Sequence, residues 1–198
     1  MIIFLRHNIL KPPFHDYNNL DFQSLIALWK WDICPDIDDN FSSNEFISKA
    51  LKLPNPLVYT SESNRTYQTA KMLGFEVTEE LSCINELRFD VSDFMSQSEY
   101  ELYGLSILRK QLWISFFSDN GYVDSKWIIN DKINVIKNII EKKKDQDIIF
   151  FSHWFFIIIA YLCLVQNINI FDIKTKQDID SIIEYLTPIK YTSGFILE

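Results

Sequence analysis

Two apolar runs, each ending in a polar cluster that contains a histidine, constrain this chain more than any other feature. Residues 1–5 are apolar and give way at once to Arg6 and His7. Residues 148–165 are 18 mostly apolar positions, broken after four of them by Ser152, His153 and Trp154. Eighteen apolar residues are enough to cross a membrane, but a histidine inside the span would be costly. A buried strand, a polar turn and a buried helix account for the run better. No membrane association is therefore expected.

The rest of the chain alternates in the same way. Residues 20–31 carry Leu20, Leu25, Leu28 and Trp29 at helical spacing. A second short helix is expected over 46–53, with Ser42 or Ser43 as its N-cap. Pro54 and Pro56 punctuate before a strand at 57–59. A helix over 63–73 closes on Gly74 at the position after its C-cap, and 75–78 reads as a strand. Residues 81–87 lead into an irregular, aromatic-rich stretch reaching 125, of weak periodicity, with helices expected around 99–117. Residues 126–144 form an amphipathic helix. Trp127, Ile129, Ile133, Ile136 and Ile140 lie on one side, and lysines occupy the last turn, where cations suit the dipole. Residues 145–147 are a turn, 148–151 a strand and 154–165 a helix. Residues 181–186 and 192–197 look like strands, or a terminal hairpin. Alternation of this kind specifies an α/β layered fold with a mainly parallel sheet. Ligands of such sheets bind beyond the carboxyl ends of the strands. Arg6-His7, the cluster 61–65 and Ser152-His153 each follow a buried strand, so they should converge on one crevice.

Charge and cysteine usage narrow the function classes. The net charge of −8 repels nucleic acid and anionic membranes at long range. A local cluster of Arg and His can still reverse the potential inside one pocket. Cys34, Cys83 and Cys163 are too few and too widely spaced for a zinc site, and read as reduced thiols of a cytoplasmic protein. The N-terminus lacks the basic and long apolar regions of a signal peptide. The acidic run 36–39 reads as a solvated loop rather than a cation site.

The chain has three histidines. His15, in a proline-containing loop, reads as a surface residue, with substrate contact an open alternative. His7 or His153 alone would read as a satisfied, half-buried histidine. As a pair, each placed directly after a strand that should be central, they point to a site.

Phe4-Leu5-Arg6-His7 resembles the N-terminal signature of the histidine phosphatase superfamily, which includes the phosphoglycerate mutases. Three further blocks follow in that family's order. Residues 60–70, Thr-Ser-Glu-Ser-Asn-Arg-Thr-Tyr-Gln-Thr-Ala, are similar to the block in which an arginine opens a helix. Residues 85–89, Asn-Glu-Leu-Arg-Phe, resemble the block that holds the acid. Residues 148–153 and the apolar helix after them resemble the block with the second histidine. The resemblance implies a three-layer α/β/α fold with a mostly parallel central sheet and a small helical cap insertion at 87–125, within one domain spanning 1–198. It implies a metal-independent phosphomonoester hydrolase acting on a small phosphorylated substrate without a cofactor. His7 would be the nucleophile that carries the phosphoryl group, a role a neutral imidazole can fill near pH 7. Glu86 would be general acid and then base. Arg6, Arg65, His153 and the amide of Asn8 would hold phosphate oxygens, the planar guanidinium binding two at once. The resemblance also sets alternatives: a phosphomutase sharing the pocket, or a degenerate phospho-ligand-binding protein.

Three positions depart from that pattern. Asn8 and Trp154 stand where the family has glycine after each histidine, and Asp90 follows the aromatic of the acid block. Asn8 is expected to tolerate a left-handed backbone. Trp154 would narrow the pocket or stack on a substrate, and an inward Asp90 would disfavour phosphate. Tyr100, Tyr103, Trp113, Phe116 and Phe117 read as the core of the cap.

Overall fold

The computed structural model describes residues 1–12, 14–16, 20–30, 36–40, 43–174, 176–183 and 192–197. Among these residues, five strands make one sheet: β1 (Ile2–Arg6), β2 (Leu57–Thr60), β3 (Glu79–Glu80), β4 (Ile148–Ser152) and β5 (Gly194–Leu197). Their order is β3-β2-β4-β1-β5. β1 runs parallel to β4, and β2 parallel to both β4 and β3, while β5 returns antiparallel along β1. The sheet is thus mostly parallel, with its antiparallel strand at an edge.

β1 and β4 are apolar at successive positions because the sheet is covered on both faces. Phe4 and Phe150 point to one face, where their rings stack at 4.7 Å between Phe195 on one side and Tyr59 on the other. That face packs on α1 (Phe22–Trp29), α4 (Gln97–Ser118), α5 (Lys126–Lys142), α6 (Trp154–Leu164) and α7 (Lys176–Ile183). Ile3, Leu5, Val58, Ile149 and Phe151 point to the other face, against Ile47 and Ala50 of α2 (Glu45–Ala50) and Ala70 of α3 (Asn64–Met72). The strand's period of two sorts neighbouring residues into two apolar layers. Among the described residues, no helix is long and apolar enough to cross a membrane.

Local signals explain most boundaries. Asp21 caps α1 by accepting the Ser24 N–H at 2.9 Å. α3 ends in a Schellman arrangement: Gly74, at φ +84°, donates to Lys71 O and Phe75 donates to Ala70 O. Ser96 and Glu99 form a capping box at the start of α4.

Several elements differ from their sequence expectation. The N-cap of α2 is Asn44, whose Oδ1 accepts from Phe46 and Ile47; Ser43 does not cap it, and Ser42 lies outside the described residues. Residues 75–78 are not a strand. Thr78 hydrogen-bonds Val58, but ladder pairing with β2 starts only at Glu79. Residues 181–183 close helix α7 instead of opening a strand, and 184–186 lie outside the described residues. The run 192–197 contributes β5 at Gly194–Leu197, which pairs antiparallel with β1. Trp127 does not join the buried side of α5. It is 66% exposed and packs on Phe171 at 4.6 Å. α4 is interrupted at Gly104, whose φ of +67° breaks its helical course. That break explains the weak periodicity of this stretch.

Gly194 is required by close approach. A Cβ there would lie 1.7 Å from the carbonyl oxygen of Phe4, so β5 could not seat on β1. Gly194→Ala is expected to destabilise the protein by about 3 kcal/mol, read as a lower urea midpoint. An unchanged midpoint would refute this account of the edge.

Candidate active site

The β1–β4 register places Arg6 opposite Ser152, so the next residue on each strand is a histidine. His7 continues the ladder, its N–H donating to Ser152 O at 3.1 Å. The two imidazoles lie 5.3 Å apart between centroids. β2 pairs with β4 up to Thr60 and Phe151, and Ser61 N donates to Phe151 O. Ser61 Oγ thereby reaches 2.8 Å from His153 Nε2 and 2.9 Å from Thr66 Oγ1. Arg65, in the first turn of α3, is buried, as are Arg6, His7 and His153.

Glu86 is brought in from another direction. Ser152 Oγ donates to Ile84 O at 2.6 Å, and Asn85 exchanges hydrogen bonds with Glu62 at 2.9 and 2.6 Å. These bonds hold residues 84–86 over the ends of β2 and β4. Glu86 accepts the Phe155 N–H at 3.2 Å and the Phe156 N–H at 2.9 Å, and so sits on the N-terminus of α6. Arg6, His7, Arg65, Glu86 and His153 line one cavity of about 60 Å³. That is room for about four waters at the ~15 Å³ each needs on this measure, a fit for a small group. Apart from Arg109, its remaining wall is apolar: Leu28, Trp29, Leu87, Phe89, Trp154 and Phe155. An outer groove of about 610 Å³ shares Trp29, Glu86 and Phe89 with it.

Proton affinities follow from this enclosure. Burial, then the charges of Arg65, His153 and Arg6, hold His7 well below the ordinary histidine range. Its hydrogen bond to the Asn8 carbonyl opposes them. Burial, then Arg65, Arg6 and Lys132, does the same to His153. Both imidazoles are therefore neutral near pH 7. Burial raises the Glu86 carboxyl, against the hydrogen bonds from Phe155, Phe156 and Leu87 and the charge of Arg6. His7 Nδ1 lies 2.7 Å from the Asn8 carbonyl oxygen. A carbonyl only accepts, so Nδ1 carries the hydrogen and Nε2 is the basic nitrogen.

Not every residue singled out in the sequence reaches the cavity. Asn8 is buried beside it but does not line it; its Nδ2 donates to Asp38 O and Asn40 O, both at 2.9 Å. Its backbone is not left-handed. Asp90 pairs with Lys30 and caps its own turn through Ser92. His15 is exposed and away from the cavity. The acidic run is only partly solvated, since Ile37 is buried and bridges Leu10. Trp154 forms part of the wall. Its buried Nε1 has no hydrogen-bond acceptor among the described residues.

Two lining residues carry no sequence signal. Arg109 of α4 holds its guanidinium 5.4 Å from the Trp154 ring centroid, and Trp29 reaches the wall from α1. Both depend on long-range packing. Among the described residues, no group of three or more His, Cys, Asp or Glu is placed to hold a metal ion. Burial pushes the Cys83 and Cys163 thiols up to about 11, so neither is a thiolate near neutral pH; Cys34 lies outside the described residues.

The buried histidines couple stability to pH. The unfolded chain protonates each near pH 6.5, the native protein only at lower pH. Stability is therefore lost as pH falls below about 6.5. Glu86 acts in the opposite sense, losing stability as pH rises through its raised native value. Urea melts between about pH 7 and 5 should show losses approaching 1.4 kcal/mol per unit for each histidine. His153→Gln should flatten the curve, and an unaltered curve would contradict the buried neutral state.

Neither a protein-family model nor a curated protein sequence matches the chain. Solved structures do. An open reading frame product of Mycobacterium tuberculosis aligns at 18% identity over 83% of this chain and 79% of its own, with a TM-score of 0.51. Phosphoglycerate mutase of Bacillus anthracis aligns at 12% identity over 98% and 85%, TM-score 0.51. A mycobacterial glucosyl-3-phosphoglycerate phosphatase aligns at 11% identity over 96% and 86%, TM-score 0.53. With its mostly parallel five-stranded sheet flanked by helices and likenesses of this extent, the chain has a phosphoglycerate mutase-like fold.

Proposed function

We propose that this protein is a histidine phosphatase: a metal-independent hydrolase of a small phosphomonoester, working through a phosphohistidine on His7. The observation that carries the reading is the convergence of Arg6, His7, Arg65, Glu86 and His153 on one small cavity. The likeness to a phosphatase and a mutase agrees with it.

In this mechanism the phosphoryl group sits between Arg6 and Arg65, which neutralise its equatorial oxygens together with His153. Nε2 of neutral His7 attacks phosphorus in line with the ester oxygen, and the P–O bond breaks. Glu86, protonated at the start, gives its proton to the leaving alkoxide. The resulting carboxylate then takes a proton from water as the water oxygen attacks phosphorus. The P–N bond breaks, inorganic phosphate forms, and His7 returns to its neutral tautomer. Segment 87–125 caps the cavity in this reading, with Phe89 and Arg109 facing the leaving group.

The test is turnover of p-nitrophenyl phosphate in EDTA. His7→Ala is expected to lose at least about a thousandfold in kcat, and Glu86→Gln about a hundredfold with a leaving group more basic than nitrophenol. Equal rates for wild type and His7→Ala would overturn the proposal. The pH profile has a set sign: His7 must be neutral and Glu86 protonated. Because His7 titrates below its ordinary range and Glu86 above its own, kcat/KM should be higher near about pH 5.5 than near about pH 8.

Glu86 favours one competing reading. Both its oxygens are engaged by backbone N–H groups, as suits a permanently ionised carboxylate in a protein that binds a phosphorylated ligand without turning it over. Vanadate binding with no trapped phosphohistidine would select that reading. A phosphomutase would be told apart by isomerisation outpacing hydrolysis on one substrate.

A further inference from the structure

We propose that Asn8 is a positioning residue, whose side chain clamps the backbone carbonyl that orients the His7 imidazole. The kinetic part rests on the phosphatase reading above; the structural part does not.

Asn8 is 2% exposed, and its backbone N–H, carbonyl and side-chain Nδ2 are all hydrogen-bonded. Its N–H donates to Thr69 Oγ1 at 2.9 Å, and that hydroxyl donates to Arg65 O at 2.7 Å. The Nδ2 group has two hydrogens and two carbonyl acceptors, Asp38 O and Asn40 O, each at 2.9 Å. Just beyond, Asp38 N donates to Ile9 O at 2.8 Å, and Leu10 bridges Ile37. The backbone is thus held on both sides of the Asn8 carbonyl: by the side chain and N–H before it, and by the 36–40 segment after it. That carbonyl accepts from His7 Nδ1 at 2.7 Å. Its direction selects the tautomer in which Nε2 is basic, and it fixes the plane of the ring.

A residue without a side chain at this position would keep the backbone ties but could not make the two Nδ2 bonds. The chain carries asparagine where its resemblance places glycine, and gives the donors to the 36–40 segment instead of to an anion. Without them, the carbonyl can turn from Nδ1, and the ring can adopt the Nε2–H tautomer, which is not nucleophilic at Nε2.

A role confined to holding the 36–40 segment makes a different prediction. Gln68 anchors the same segment, accepting from Ile37 N at 3.1 Å and donating to Asp36 Oδ1 at 2.7 Å. Gln68→Ala loosens the segment without removing the clamp on residue 8.

The experiment is imidazole nitrogen NMR of the ¹⁵N-histidine-labelled full chain, in wild type, Asn8→Ala, Asn8→Asp and Gln68→Ala. Asn8→Asp keeps the volume while removing the donors, and so serves where the alanine variant does not fold. In wild type and Gln68→Ala, His7 should be the pure Nδ1–H tautomer. In both Asn8 variants it should become a mixture, while His153 is unmoved. On p-nitrophenyl phosphate the Asn8 variants should lose about tenfold in kcat, with KM changed less than about threefold. A pure Nδ1–H signal in a folded Asn8 variant would overturn the proposal, as would the same tautomer mixture in Gln68→Ala. Absence of turnover in wild type counts against the phosphatase reading, and the tautomer comparison still decides the role of Asn8.

Discussion

The pairing of β1 with β4 in one parallel register holds the site together. Ile2 faces Ile148 and Arg6 faces Ser152, so two histidines that are 146 positions apart in the chain become neighbours. The register is specified by burial on both faces. A slip of one residue would turn Ile3 and Leu5 toward the layer that holds Phe4, and Phe4 toward theirs. The stack of Tyr59, Phe150, Phe4 and Phe195 spans four strands on one face and has no counterpart in the slipped arrangement. β2 is set against β4 in turn, which delivers Ser61 to His153 and the start of α3 to the same place. The cavity is therefore a consequence of strand alignment more than of loop conformation.

The electrostatics of that cavity run against those of the molecule. A chain with net charge −8 encloses Arg6 and Arg65, with Arg109 in the same wall. Two buried histidines beside these cations stay neutral because a further positive charge would be both desolvated and repelled. Neutrality leaves a lone pair on each ring. An incoming dianion would reverse the local balance and favour a proton on His153, whose Nε2 is bonded to Ser61 Oγ, a hydroxyl able to donate or accept.

How much of this was legible in the sequence depends on the range of the interaction concerned. The apolar runs at 1–5 and 148–151 displayed central strands directly, because burial on both faces leaves no alternation to interpret. Gly74 marked the end of α3 for an equally local reason, its left-handed φ. The polar clusters at strand ends pointed to one crevice, and Arg6, His7, Arg65, Glu86 and His153 do meet there. Asn8 was read toward phosphate, and its amide turned out to serve the 36–40 segment. Nothing near residue 8 in the sequence announces acceptors 30 and 32 positions away. Arg109 was invisible because Gly104 breaks the helix that carries it, erasing the periodicity from which its face could be read. Residues 181–183 look like the start of a strand in the sequence, whereas they close α7 in the fold, since strand preference yields to context.

On the phosphatase reading, the Glu86 carboxyl would serve both the fold and the chemistry. It caps α6 through Phe155 and Phe156, and those bonds favour the charged form, as does Arg6. Burial favours the neutral form and prevails. The balance is close to the cavity in a literal sense: Glu86 lines both the inner chamber and the outer groove. Water entering from the groove would weaken the burial effect and strengthen the ionised state. A ligand filling the groove would exclude that water and raise the proton affinity of Glu86. On the phosphatase reading, occupancy of the leaving-group side would itself help to arm the acid, because the same apolar wall of Trp29 and Phe89 that would hold the ligand also controls solvent at the carboxyl.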